Sequence, residues 1–103
     1  MKRVQVELGA SSHFKVVANA DHSQVAVMTL GVGEQVGGPD NLHASSEQWL
    51  YVVSGRGEAV VADERAELSA GSLLLIEAGE AHEIVNTGGE PLQTLNIYAP
   101  PEY

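Results

Sequence analysis

The sequence predicts an all-β fold, one small antiparallel sandwich or barrel, and three observations carry that expectation. Eleven glycines and four prolines punctuate the 103 residues at intervals of about ten, leaving short segments suited to strands. No stretch has the i, i+3, i+4 apolar spacing of an amphipathic helix. The length suffices for one hydrophobic core and no more, so residues 1–103 are expected to form a single domain.

Candidate strands, in order, are residues 4–8, 14–18, 24–30, 49–54, 58–62, 66–68, 73–77, 82–86 and 93–99. Ser-Gly-Arg-Gly at 54–57 and Ala-Asp-Glu-Arg at 62–65 each join two apolar runs, so both are expected to be hairpin turns within a central meander. In WLYVV (49–53) and LLLI (73–76) the apolar residues do not alternate with polar ones, which predicts strands buried on both faces. With Gln48, Leu50 and Val52 inward, the period-two rule turns Trp49, Tyr51 and Val53 outward, where they need a cover. A chain this short has little to spare, so a homodimer is expected; the alternative is cover by the protein's own terminal strands. The prolines of APPEY (99–103) end the last strand and leave the terminus to lie across the barrel or a partner.

Composition narrows the partners. With 14 acidic against 5 basic residues the formal charge is −9, a field that repels nucleic acid and anionic membrane surfaces. Cysteine is absent, which removes disulfides and thiolate chemistry. The opening MKRVQVELGA has no apolar stretch of signal-peptide length, and no window approaches the ~20 apolar residues of a membrane span. The expectation is a cytoplasmic protein whose ligand is a small molecule, with neither nucleic acid nor membrane as partner.

Two places concentrate polar side chains among apolar strands. Asn41 and His43 are two apart and share one face of an extended segment, with Gln48 at the start of the next strand able to turn back towards them. Downstream, His82 opens a strand after a glycine turn, and His82, Ile84 and Asn86 share a face. The second region reads Gly71, five residues, Glu77, one residue, Gly79, two residues, His82, three residues, Asn86. The first reads Asn41, one residue, His43, four residues, Gln48, six residues, Gly55.

These spacings resemble the two motifs of the cupin family, G-x5-H-x-H-x3,4-E-x6-G and G-x5-P-x-G-x2-H-x3-N. The second is matched except for Glu77 in place of proline. The first is matched in spacing but altered in content, with Asn41 for the first histidine, Gln48 for the glutamate, and Gln35 where the leading glycine belongs. The resemblance spans residues 33–86 and implies a single cupin barrel, the jelly-roll-like double-stranded β-helix, whose mouth holds a divalent metal in the metal-containing members.

Carried over by position, the ligands implied are His43, His82, Gln48 and Asn41. The ion implied is a divalent transition metal: Zn, Ni, Fe, Mn or Cu. An imidazole nitrogen suits such ions, whereas a carboxamide offers only a neutral, weakly basic oxygen. Two imidazoles and two amides supply no negative charge, so an ion here is held less tightly than by three histidines and a glutamate, and is left a stronger Lewis acid. Glu47 enters the set in place of Gln48 only through a bulge or one-residue slip. The family permits oxygenase, isomerase or lyase chemistry on a small polar molecule.

Two other readings stay open. The same four side chains satisfy one another and a few waters equally well as a metal-free binding or sensing pocket. Alternatively, His82 or His43 works with Tyr98 as a metal-free acid and base. Tyr98 and Asn96 share a face of the last strand and reach the interior, while His13, His22 and Lys15 are expected to be solvated.

Overall fold

The computed structural model describes residues 1–38 and 43–103. Its strands are β1 (His13–Asn19), β2 (Gln24–Leu30), β3 (Gln35–Gly38), β4 (Glu47–Ser54), β5 (Gly57–Val61), β6 (Glu64–Leu68), β7 (Leu73–Ile76), β8 (His82–Asn86) and β9 (Leu92–Ala99). Every pairing among the described residues is antiparallel, in two sheets of order β1-β2-β9-β4-β7 and β3-β8-β5-β6. No helix forms among the described residues. Nor do ladder hydrogen bonds among them join the sheets into a closed barrel; side-chain packing holds the two halves together.

The core shows how. Met28, Leu30, Leu50, Val52 and Leu92 from one sheet meet Ala59, Leu68 and Ile84 from the other. On β4 burial alternates strictly, with Gln48, Leu50 and Val52 inside and Trp49, Tyr51 and Val53 outside. Burying a side chain such as Leu50 contributes about 1.5–3 kcal/mol, and a one-residue slip would exchange the two faces. Gln48 therefore faces the interior, and Glu47 is exposed.

Several expectations change. Residues 54–57 do not form a hairpin: β4 pairs with β7 and β9, β5 with β6 and β8, so the chain crosses between sheets here. Gly55 permits the crossing with a φ of 92°, and a Cβ on it would meet Pro91 O at 2.5 Å and Leu92 Cα at 2.8 Å. A local turn signal says that the chain bends, not which sheet it enters. The turn at 62–65 is the expected hairpin, with Ala62 and Asp63 both at positive φ, as a tight type I′ connection requires.

Residues 4–8 enter no ladder. Val4 and Val6 instead border a shallow hollow over Val17 and Val25, on the outer face of β1 and β2. Conversely β3, with the unpromising sequence Gln-Val-Gly-Gly, is a strand because β8 templates it, Val36 opposite Ile84 and Gly38 opposite His82. The outward face of β4 is not buried within the chain: Trp49 is 38% and Tyr51 41% exposed. The N-terminal segment lies beside Val17 and Val25 and touches β9 at Gln93, whose Nε2 donates to Gly9 O, while Trp49, Tyr51, Leu73 and Ile97 stay exposed.

Candidate functional site

The two motif regions meet where the sheets face each other at one end of the barrel. Gln48, Asn96 and Tyr98 come from the five-stranded sheet, where Gln48 lies opposite Tyr98 and Leu50 opposite Asn96. His82 comes from the first position of β8 in the other sheet. His43 is brought in by its backbone, whose carbonyl accepts a 2.7 Å hydrogen bond from Gly79 N–H. Gly79, at φ 84°, makes the turn that leads into His82, so a glycine of one motif anchors the histidine of the other.

The predicted imidazoles converge: the rings of His43 and His82 are 4.9 Å apart between centroids, and both are buried. Gln48 joins them, its Oε1 3.0 Å from His43 Nε2. Asn41 lies outside the described residues. Asn86, the last residue of the second motif, plays a structural part. Its Nδ2 donates to Leu30 O and Glu90 O, and its Oδ1 accepts from Gly88 N–H. That clips the β8–β9 turn to the end of β2.

The direction of each amide follows from its neighbours. Thr94 Oγ1 donates to Met28 O, Asn96 Nδ2 donates to Thr94 Oγ1, and Gln48 Nε2 donates to Asn96 Oδ1. Gln48 therefore presents its carbonyl oxygen to His43. On the other side of the ring, Nδ1 stands 3.1 Å from a carboxylate oxygen of Glu102. Both ring nitrogens face acceptors, which a neutral imidazole with its single N–H cannot satisfy. The arrangement is complete with a second proton on the ring, or with the proton on Nδ1 and a metal cation on Nε2.

The second possibility fits the spacing. His43 Nε2 and Gln48 Oε1, 3.0 Å apart, are close enough that one ion would be held by both. The carboxylate on Nδ1 is the partner that a metal-bound histidine commonly has. Among the described residues no three His, Asp or Glu side chains form a cage by themselves, so an ion here depends on amide oxygens.

Sequence reasoning missed Glu102 and what holds it. After β9 the chain turns over the barrel mouth: Ser46 Oγ donates to Pro100 O, and the buried Gln24 side chain grips the last residues with both ends. Gln24 Oε1 accepts from Glu102 N–H and Tyr103 N–H, and its Nε2 donates to Tyr103 O. Tyr103 then packs against Phe14 and Tyr98 at centroid distances of 4.9 and 5.2 Å. The only hint in the sequence was the proline pair that ends β9.

Burial tunes the neighbours. It lowers the pKa of His82 below the ordinary 6.5, against the raising effect of the Glu80 carbonyl on Nδ1 and with a small further lowering from His43. Tyr98, 2% exposed, has its pKa raised by burial and by Tyr103 and Glu102, so its hydroxyl keeps its proton near neutral pH. A protonated hydroxyl there can donate a hydrogen bond. His13, expected to be solvated, borders the cavity, whereas His22 and Lys15 are exposed as expected. The cavity between the sheets measures about 360 Å³.

Residues 26–98 match the family model described as the cupin domain. The chain is 34% identical over 88 residues to the uncharacterized protein YrkC of Bacillus subtilis (strain 168), covering 80% of this chain and 46% of that one. It spans about half the length of the curated relatives it matches. Among solved structures it is similar to BH2720 from Bacillus halodurans, with a TM-score of 0.84 and 33% identity over 89% of this chain and 73% of that one. It is also similar to KdgF from a Halomonas species, with a TM-score of 0.79 and 21% identity over 97% and 87%, a likeness of fold. No helix is long and apolar enough to cross a membrane among the described residues.

Proposed function

The chain belongs to the cupin family, and from that premise we propose that its barrel mouth binds one divalent transition-metal ion and, beside it, a small oxygen-bearing molecule. His43 through Nε2, Gln48 through Oε1, and His82 hold the ion, with Asn41 assigned by its motif position. When bound, the ion supplies Lewis acidity to a ligand oxygen. Glu102 keeps the His43 proton on Nδ1 and so the Nε2 lone pair free. Tyr98 offers a hydroxyl donor, and the apolar wall limits water.

One observation carries this reading: both nitrogens of His43 face oxygen acceptors, and only a cation, metal or proton, reconciles them. The two imidazole nitrogens favour Zn, Ni, Cu or Fe over Mg or Ca. The test is the metal content of untagged protein and its affinity after chelation, for the natural chain and for the His43→Ala, His82→Ala double variant. Stoichiometric uptake lost in the double variant is expected. No uptake of any of these ions by a folded natural chain removes the reading.

A second reading has its own support. No buried side-chain nitrogen or oxygen among the described residues lacks a partner, so with His43 doubly protonated the site is already a finished polar pocket. In that case the protein is a metal-free binding module, and elemental analysis separates the two.

For the outer face of β9, β4 and β7 we propose a second copy of the chain. Leu75, Trp49 and Ile97 form one cross-strand row and Leu73, Tyr51 and Leu95 the next, an uncharged surface on a chain of charge −9. Trp49, Tyr51, Leu73 and Ile97 of these rows are exposed, and a two-fold axis through the strip matches each row to its own copy.

A further inference from the structure

We infer that the molecule this cavity takes is neutral, with an apolar or aromatic body and one hydroxyl at its polar end, and that phosphorylated or sulfated compounds are excluded. The inference deepens the small-molecule half of the proposal above, since it concerns the same cavity, but it does not depend on the ion.

Charge is the first ground. The chain has five basic residues, Lys2, Arg3, Lys15, Arg56 and Arg65, and none is among the residues that border the cavity. Acidic residues stand nearby instead: Glu34 is among the lining residues, and the Glu102 carboxylate meets the lining residue His43 at Nδ1. A phosphate dianion entering here would leave its hydration shell for a space with no guanidinium or ammonium among the described residues to receive it. It would do so inside the field of a chain of charge −9.

The walls are the second ground. Met28, Leu30, Leu50 and Ile84 form the depth of the cavity. At the rim Phe14 is 43% and Tyr103 62% exposed, although their rings touch. An apolar rim left in water beside an apolar hollow gains by covering itself with an apolar ligand. Tyr103 is held at that rim by the Gln24 grip on its backbone. The volume of about 360 Å³ lies at the small end of ligand pockets and suits a body of one ring.

The polar end is the third. Gln48 Oε1 is fixed as an acceptor by the amide chain behind it. A phenolic or enolic hydroxyl donates to that oxygen, which a dianionic phosphate, carrying no proton, does not.

The experiment compares matched probes by NMR titration of the labelled protein at about pH 7.5: 4-methylphenol against 4-methylphenyl phosphate, with fructose 6-phosphate as a third. Each is run on chelator-treated protein and on protein loaded with Zn. In chelator-treated protein 4-methylphenol is expected to shift the signals of Ile84, Met28 and Gln48 and to bind at least about tenfold more tightly than its phosphate ester. Fructose 6-phosphate should shift none of them. Phe14→Ala and Tyr103→Ala should each weaken 4-methylphenol severalfold. Equal or tighter binding of either phosphate without metal overturns the inference, as does 4-methylphenol leaving the cavity signals unmoved. A protein that takes up no Zn yet keeps the phenol preference loses the metal reading and retains this one; Zn uptake without the preference does the reverse.

Discussion

The carboxylate of Glu102 lies 3.1 Å from Nδ1 of His43, a contact between the last turn of the described chain and the first histidine of the barrel mouth. In the metal-binding reading it holds the ring proton on Nδ1 and leaves Nε2 as the electron-pair donor. It exists because Gln24, buried in β2, holds the backbone of Glu102 and Tyr103.

Replacing Glu102 by Gln should therefore lower metal affinity by about 10–100-fold while leaving the melting temperature of the metal-free protein nearly unchanged. Calorimetric titration with Ni or Zn reads the first and thermal denaturation the second. An unchanged affinity would show that the carboxylate does not orient His43.

Gln24→Ala removes three hydrogen bonds to the terminal segment at once and frees it from the mouth. A loss of about 1–3 kcal/mol is expected, with faster hydrogen exchange at the Glu102 and Tyr103 amides than in the natural chain. If those amides exchange at the same rate in both proteins, the grip is not what holds the segment down.

His82 gives a pH dependence whose sign is fixed by burial. Its folded pKa is lowered below the ordinary 6.5, so below that value the unfolded chain binds the proton more readily than the folded one. Its contribution is full above about pH 6.5 and declines as the pH falls from there towards the folded pKa. Urea unfolding of chelated protein across about pH 5 to 8 should show that decline, and His82→Gln should flatten it. A natural chain and variant with parallel pH profiles would remove His82 as the cause.

For the outer face, Trp49→Glu and Tyr51→Glu place charges in the centre of the two apolar rows and should convert a dimer into a monomer with little change in stability, because both side chains already stand partly in water. Sedimentation equilibrium decides. A natural chain that sediments as a monomer at all concentrations tested rules out the second copy.

Gly55→Ala tests the crossing between the sheets. The added methyl meets backbone atoms of Pro91 and Leu92, which cannot move aside as a side chain tip can, and the φ of 92° is strained for alanine. A loss of at least about 1 kcal/mol is expected in denaturant titration. A neutral result would mean that the β8–β9 turn yields at small cost.

Much of this protein was written into local stretches of its sequence. Glycine and proline spacing bounded most of the strands, and the motif position of Gln48, with the period-two rule, set Gln48, Leu50 and Val52 inward and Trp49, Tyr51 and Val53 outward on β4. Motif spacing picked out His43, Gln48 and His82, which the fold then brought together. These are local facts, because a strand's alternation and a motif's spacing are properties of consecutive residues. What the tertiary structure alone decided is of another kind: that β4 and β5 lie in different sheets, that Gln-Val-Gly-Gly becomes a strand beside β8, and that Glu102 and Tyr103 close over the mouth under the hold of Gln24. Each depends on pairing between residues far apart in the chain. Such pairing is selected by which surfaces bury one another and which hydrogen bonds remain to be made, and neither leaves a period in the sequence.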